Sequence, residues 1–229
     1  MTIDRASRRQ TALTESLYRL GQAHPALGAV LVEIGPPEPR ILQPGFGSLL
    51  RIMVGQQVST ASAAAIWGRL VEASGDTVDG FNSLDDEALG RVGFSRAKMR
   101  YGRALADAVL DGTLNPDDLE KLPGEQVSAQ LMALPGIGRW TAEIYRMFAL
   151  GDPDVFPIGD LALREGVRMA LDLPERPDLG AAERLTAAWK PERSAAALLL
   201  WRLYRHRRGI AVLGADNPPV VDKTARARR

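Results

Sequence analysis

Apolar side chains along this chain return at intervals of three and four, the period of a helix buried along one face. Val127, Leu131 and Leu134 sit at i, i+4 and i+7, and Trp140, Ile144, Met147 and Phe148 resume the spacing in the next segment. Leu163, Val167, Ala170 and Leu171 do so again after Asp160. The stretch SLLRIMVGQQVSTASAAAIWGRLV, residues 48–71, predicts two helices broken near Gly55, with Ser59 or Thr60 capping the second. Ser95 stands where it can cap a further helix that Gly112 ends. Residues 184–208 predict a last long helical region, interrupted at Pro191. No run alternates with period two and no segment repeats, so the fold class is all-α. PPEP at 36–39 marks a turn or linker, and 215–229 a loose basic tail.

With 229 residues the chain can bury a core as one large domain or two small lobes. No apolar run approaches the roughly 18 residues that cross a bilayer. The opening decapeptide MTIDRASRRQ is charged, so a secretory leader is not expected. Zero cysteines exclude disulfides, thiol catalysis, zinc–thiolate sites and an iron–sulfur cluster, and are compatible with a reducing cytoplasm. Net charge is only +1, but it is segregated along the chain. Residues 72–87 carry Glu72, Asp76, Asp79, Asp85, Asp86 and Glu87 with no base; residues 91–106 carry Arg91, Arg96, Lys98, Arg100 and Arg103 with no acid. A second basic run, Arg202 to Arg208, has Trp201, Tyr204 and His206 in and beside it. Such segregation makes either a positive face for a polyanion or a pair of solvated helix faces.

The segment LPGIGRWTAEIYRMFALGDPDVFPIGD, residues 134–160, carries the candidate chemistry. Pro135 ends one helix, Gly136 and Gly138 allow a tight turn, and the next helix starts at about Arg139. Its first amides then point back into the turn. That is either a phosphate site made of backbone or a plain helical hairpin. Asp160 follows Gly138 by 22 residues, across that helix and the loop GDPDVFPIGD, and opens another helix. It is an N-cap, a functional carboxylate, or both.

Residues 134–160 resemble the helix-hairpin-helix, Gly/Pro-rich loop and Asp signature of the DNA glycosylase superfamily of that name. Three further segments are similar to its 3-methyladenine DNA glycosylase II (AlkA-type) branch: VGQQVSTASA at 54–63, GFSRAK at 93–98, and WKPERSAAALLLWR at 189–202 with its WxPxRSxA pattern. Four motifs in order cover about residues 45–205.

The resemblance implies a two-lobed helical body with an active-site cleft between the lobes. Residues 1–44 would be a helical segment packing on the catalytic body, 45–208 the glycosylase domain and 209–229 a tail. It implies a monofunctional, monomeric enzyme of the cytoplasm, nucleoid-associated when on DNA. Such an enzyme flips alkylated purines out of double-stranded DNA and hydrolyses their N-glycosidic bond. A non-catalytic helix-hairpin-helix DNA-binding module and a glycosylase for other damaged or mismatched bases are the alternatives.

Asp160 would be the catalytic residue. Trp140, Tyr145 and Trp201 would line the base pocket, and Gln57 would be the wedge that fills the gap left by the flipped nucleotide. Gln56, Ser59, Ser95, Lys98, Gly136, Gly138 and Thr141 would contact DNA. No cofactor is required; backbone carbonyls of Met132, Leu134 and Ile137 would hold a structural Na⁺ or K⁺ ion. Two departures stand out. Trp140 occupies the position where lyase branches carry a lysine, and Glu192 stands between the Pro and Arg of WxPxRS, where the branch often carries an aromatic. The first 45 residues are too short and too helical for the extra β-sheet domain of some relatives.

Overall fold

The computed structural model describes residues 5–210. In chain order the helices are α1 (Arg5–Ala23), α2 (Pro25–Ile34), α3 (Phe46–Val54), α4 (Thr60–Ser74), α5 (Val78–Ser83) and α6 (Asp86–Val92). There follow α7 (Arg96–Leu110), α8 (Gly124–Met132), α9 (Arg139–Tyr145), α10 (Leu161–Ala170), α11 (Leu179–Ala187) and α12 (Arg193–Arg207). A π-helical turn, Arg146–Leu150, continues α9. Among the described residues there is no strand, as the periodicity predicts. Contacts group the described chain into two units, residues 42–150 on one side and 5–41 with 151–210 on the other. The tail expected at 209–229 lies, from residue 211 on and with all of its basic stretch 215–229, outside the described residues.

The unit 42–150 is built around α3, whose Leu49, Leu50, Ile52 and Met53 are fully buried. Each such side chain contributes about 1.5–3 kcal/mol on leaving water. Helices α7 and α9 pack on α3. Phe46, Phe81 and Phe94 stack in tilted pairs, with ring centroids 5.9 and 5.8 Å apart. Local signals set the helix starts: the side chains of Ser59, Thr77, Asp85 and Ser95 each accept an amide hydrogen from the first turn they precede. Of the two caps open for α4, Ser59 is the one used. Arg96 and Arg100 of the first basic run are exposed, whereas Arg103 turns inward to donate to the Phe81 carbonyl at 3.3 Å and to Asn82 Oδ1 at 3.2 Å.

In the other unit α10 lies against α12 so closely that a Cβ on Gly166 would come within 2.9 Å of Leu200 Cβ. Helices α1 and α2 pair with each other and both touch α12, and Leu13, Leu17, Leu20, Leu27 and Val30 are buried on them. The second basic run is partly spent inside this unit. Arg202 Nε donates to the Ile34 carbonyl at 2.8 Å, and Arg207 pairs with Glu33 at 2.8 Å. The interruption expected at Pro191 falls between α11 and α12.

Candidate functional site

Within the unit 42–150, α8 stops at Met132 and α9 begins at Arg139, so LPGIG forms the hairpin the sequence predicts. Gly136 has φ +83°, and a Cβ there would lie 2.3 Å from the ring of Tyr101 on α7. Both the left-handed backbone and the close ring exclude any side chain. Gly138 differs: it is the N-cap of α9 with φ −93°, it is exposed, and its Cβ position meets nothing within 4 Å. The turn is therefore pinned at Gly136 and open at Gly138, where the first amides of α9 emerge.

Gln56 and Gln57 follow α3 in the loop that leads to Ser59. Gln57 is exposed with φ +58°, a left-handed conformation uncommon for a residue with a side chain. Gln56 turns the other way: its Nε2 donates to the Gly136 carbonyl at 3.0 Å and to Thr141 Oγ1 at 2.8 Å. Thr141 is buried at 2% exposure. Ser95 is exposed and caps α7. Lys98 Nζ donates to the Val54 carbonyl at 2.5 Å, and burial lowers its pKa from the usual lysine value. Ser59 is exposed, its hydroxyl engaged with Ser62. Trp140 is half-buried; Tyr145 is fully buried, its hydroxyl accepting the Gly45 N–H at 3.0 Å.

The carbonyls expected to hold an alkali cation belong to this hairpin. Met132 ends α8, where carbonyls lack intrahelical donors and the helix dipole favours a cation. Leu134 O already accepts from Ile137 N at 3.2 Å and keeps a second lone pair. An all-oxygen set of this kind suits Na⁺ or K⁺. Among the described residues, no group of three His, Asp or Glu side chains is placed to bind a metal ion.

In the other unit, Asp160 is 3% exposed and caps α10, its Oδ1 accepting the Leu163 N–H at 3.1 Å. Both roles that the sequence leaves open for it start from this position. Around it lies a basic field. Burial lowers the Arg40 pKa to about 10; the Arg205 charge adds to that and the Asp160 charge opposes it. Arg164 is likewise lowered by burial, against the charge of Asp160.

The loop before Asp160 is held by the WxPxRS segment, a relationship that no local pattern announces. Arg193 grips Asp154 with two parallel bonds, Nε to Oδ1 at 2.6 Å and Nη2 to Oδ2 at 2.8 Å. Ser194 Oγ donates to the Asp152 carbonyl at 2.7 Å and accepts the Val155 N–H at 3.0 Å. Trp189 meets Phe156 edge-on at 5.8 Å. Residues 189–194 thus fasten residues 152–156, and the next turn delivers the carboxylate. Trp201 is buried on α12. Glu192 points to Arg19 of α1, 2.6 Å away.

Comparison with known proteins finds a family model and relatives that match the chain. The family model described as HhH-GPD superfamily base excision DNA repair protein matches residues 50–192. DNA-3-methyladenine glycosylase 1 of Schizosaccharomyces pombe is 31% identical over 162 residues, covering 69% of this chain and 71% of that protein. DNA-3-methyladenine glycosylase 2 of Escherichia coli is 29% identical over 201 residues, covering 79% and 67%. Against another relative, YfjP of Bacillus subtilis, the match spans 58% of that protein's length. The solved structure of the S. pombe 3-methyladenine DNA glycosylase Mag1 in complex with abasic DNA superimposes with a TM-score of 0.77 at 28% identity. It covers 82% of this chain and 95% of that one.

Proposed function

The chain belongs to the HhH-GPD superfamily of base excision DNA repair proteins, and we propose that it is a monofunctional DNA glycosylase that excises alkylated purines. The observation that carries this is the buried carboxylate of Asp160, held at a helix start by a loop that Arg193 and Ser194 fasten. A binding module needs the hairpin and would use this carboxylate only as the cap of α10. The relatives named above carry the 3-methyladenine glycosylase name, and one solved relative is bound to abasic DNA.

The chemistry follows from the parts. A stacked base leaves no room for attack at C1′, so the nucleotide must leave the duplex, at a cost of a few kcal/mol that alkylation reduces. Alkylation at N3 or N7 makes the purine cationic, hence a better leaving group and a better partner for an aromatic face, by about 0.5–2 kcal/mol. Half-buried Trp140 is the proposed face. As the C1′–N bond lengthens, positive charge develops on the sugar. The purine leaves as the neutral base with the electrons of that bond. The ionised Asp160 stabilises the sugar cation, orients the water that adds to C1′ and accepts the proton this water loses, so that an abasic site remains.

The open amides at Gly138 take a backbone phosphate, and Gln57 fills the vacated stack. Ser59 and Ser95 are proposed as further DNA contacts from their exposed positions. An alkali ion on the carbonyls of Met132, Leu134 and Ile137 would add positive charge beside that phosphate. We assign the enzyme to the cytoplasm as a monomer; among the described residues no helix is long and apolar enough to cross a membrane. Incubation with duplexes carrying single lesions (3-methyladenine, N7-methylguanine, etheno and deaminated bases) and assay of released base tests the proposal. Release of none of the alkylpurines, with wild-type folding intact, would refute it.

A further inference from the structure

We infer that Gln56 is a positioning residue that locks the wedge loop to the phosphate-binding hairpin, so that Gln57 and Gly138 engage DNA as one rigid part. This rests on the wedge and phosphate roles proposed above. The bonding leaves little choice about the amide: the Gly136 carbonyl can only accept, so the Gln56 atom facing it is the nitrogen. That nitrogen makes both bonds, to the Gly136 carbonyl at 3.0 Å and to Thr141 Oγ1 at 2.8 Å. One partner lies in the hairpin turn and the other in the first turn of α9. A side chain committed to both presents no donor from that nitrogen to a groove.

The same joint is closed from α7. Lys98 holds the Val54 carbonyl in the last turn of α3, where the helix leaves its carbonyls without amide donors. Three residues along α7, the Tyr101 ring lies against Gly136. Helix α7 therefore supports the wedge loop with one side chain and the hairpin with the next on the same face. Between the α3 end and the Ser59 cap only residues 55–58 remain, and Gln57 sits among them with φ +58°. A left-handed backbone at a glutamine persists only where its surroundings fix it, and these struts supply that fixing.

The mechanical consequence is that insertion of the wedge and capture of the phosphate are a single event. If the two were loosely joined, the hairpin could bind a duplex without driving extrusion. With the joint intact, binding energy from the phosphate contact is available to hold Gln57 in the stack.

The test uses the full chain with Gln56→Ala, Thr141→Val and the double variant, on duplexes with one N7-methylguanine. Each single variant should slow single-turnover excision about tenfold, the worth of one or two hydrogen bonds, with affinity for undamaged duplex unchanged. The double variant should be no slower than Gln56→Ala, because that substitution already removes both bonds and Thr141→Val removes only one of them. Thr141→Ser keeps the hydroxyl and should restore the wild-type rate. Placing the lesion opposite an abasic site makes extrusion cheaper and should erase most of the defect, which a general structural weakening would not do. Additive losses, or a Gln56→Ala variant that binds undamaged duplex much more weakly, would identify Gln56 as a groove contact and overturn the inference.

Amide exchange in the DNA-free protein separates this from the enzymatic proposal. Faster exchange at Ile137, whose amide donates to the Leu134 carbonyl, in Gln56→Ala establishes the joint even if the wild type releases no base. Unchanged exchange together with an unchanged rate removes it even if the enzyme is active.

Discussion

Arg19 Nε donates to Glu192 Oε1 across 2.6 Å, joining residues 173 positions apart and tying α1 to the start of α12. The carboxylate that stands where the family resemblance leads one to expect an aromatic is thus committed within its own unit. Burial pushes the Glu192 carboxyl up, but hydrogen bonds from Arg19 and Ser16 and the Arg19 charge outweigh it and hold its pKa below the usual glutamate range. A carboxylate with a lowered folded pKa stabilises the fold fully above its unfolded pKa and loses that contribution as pH falls through the folded value. Glu192→Gln should therefore lower Tm at neutral pH, and the gap to wild type should close as pH drops below about 4.3. Melting curves across a pH series check this; a gap that does not change with pH would rule the ion pair out as its source.

Asp160 has two duties that two substitutions can separate. Asn still accepts the Leu163 amide, so Asp160→Asn should melt close to wild type while excision falls by at least about 10²-fold, the usual cost of losing one preorganised electrostatic contact. Asp160→Ala should lose the same activity and in addition about 1 kcal/mol of stability, because the cap goes too. Single-turnover rates beside thermal melts give both numbers. Near wild-type excision by the Asn variant would reduce Asp160 to a cap.

The two hairpin glycines should fail in different ways. Gly136→Ala forces a Cβ into the Tyr101 ring and a left-handed backbone on alanine; the backbone alone costs about 1–2 kcal/mol, so the variant should be visibly destabilised. Gly138→Ala meets no protein atom within 4 Å and should fold with a stability change within about 0.5 kcal/mol. A bulky residue at Gly138 should weaken binding to damaged and undamaged duplex alike. A salt titration reads this as a shallower slope of log K against log salt. Identical titrations for variant and wild type would take the phosphate away from this hairpin.

Strand cleavage by a glycosylase needs an amine at C1′. Trp140 carries none, and Lys98 is tied to the Val54 carbonyl. Borohydride added during turnover should trap no covalent enzyme–DNA adduct, and nicks should arise only after alkali or heat. A trapped adduct would mean that another amine reaches the sugar.

The helix starts that were legible are local ones. Ser59, Ser95 and Asp160 each precede a periodic apolar run, and each caps the helix it announces. The hairpin was legible for the same reason, from two glycines and a proline within five residues. Tyr145 and Gln56 were not. The burial of Tyr145 depends on a hydroxyl partner 100 residues earlier, and the inward turn of Gln56 on a carbonyl 80 residues later. Neither distance leaves a mark on neighbouring sequence. The bracing of the Asp160 loop by Arg193 and Ser194 spans about 40 residues and is equally silent, although both ends lie in recognisable motifs.

The unit 42–150 interrupts the other one, and the Leu42 N–H to Phe148 carbonyl bond, 2.9 Å, joins its two ends. On the ribosome this order has a cost in time. Helices α1 and α2 are made first, with Leu13, Leu17, Leu20 and Leu27 needing cover, yet α12 emerges more than 150 residues later. At about 5–20 residues per second that is a wait of roughly 10–30 s. The interrupting unit can close on itself during that interval, whereas the first two helices cannot complete their core. Nascent chains stalled once residue 150 has left the ribosome should therefore yield a protease-resistant 42–150 fragment while α1 and α2 remain open to cleavage and to capture by chaperones.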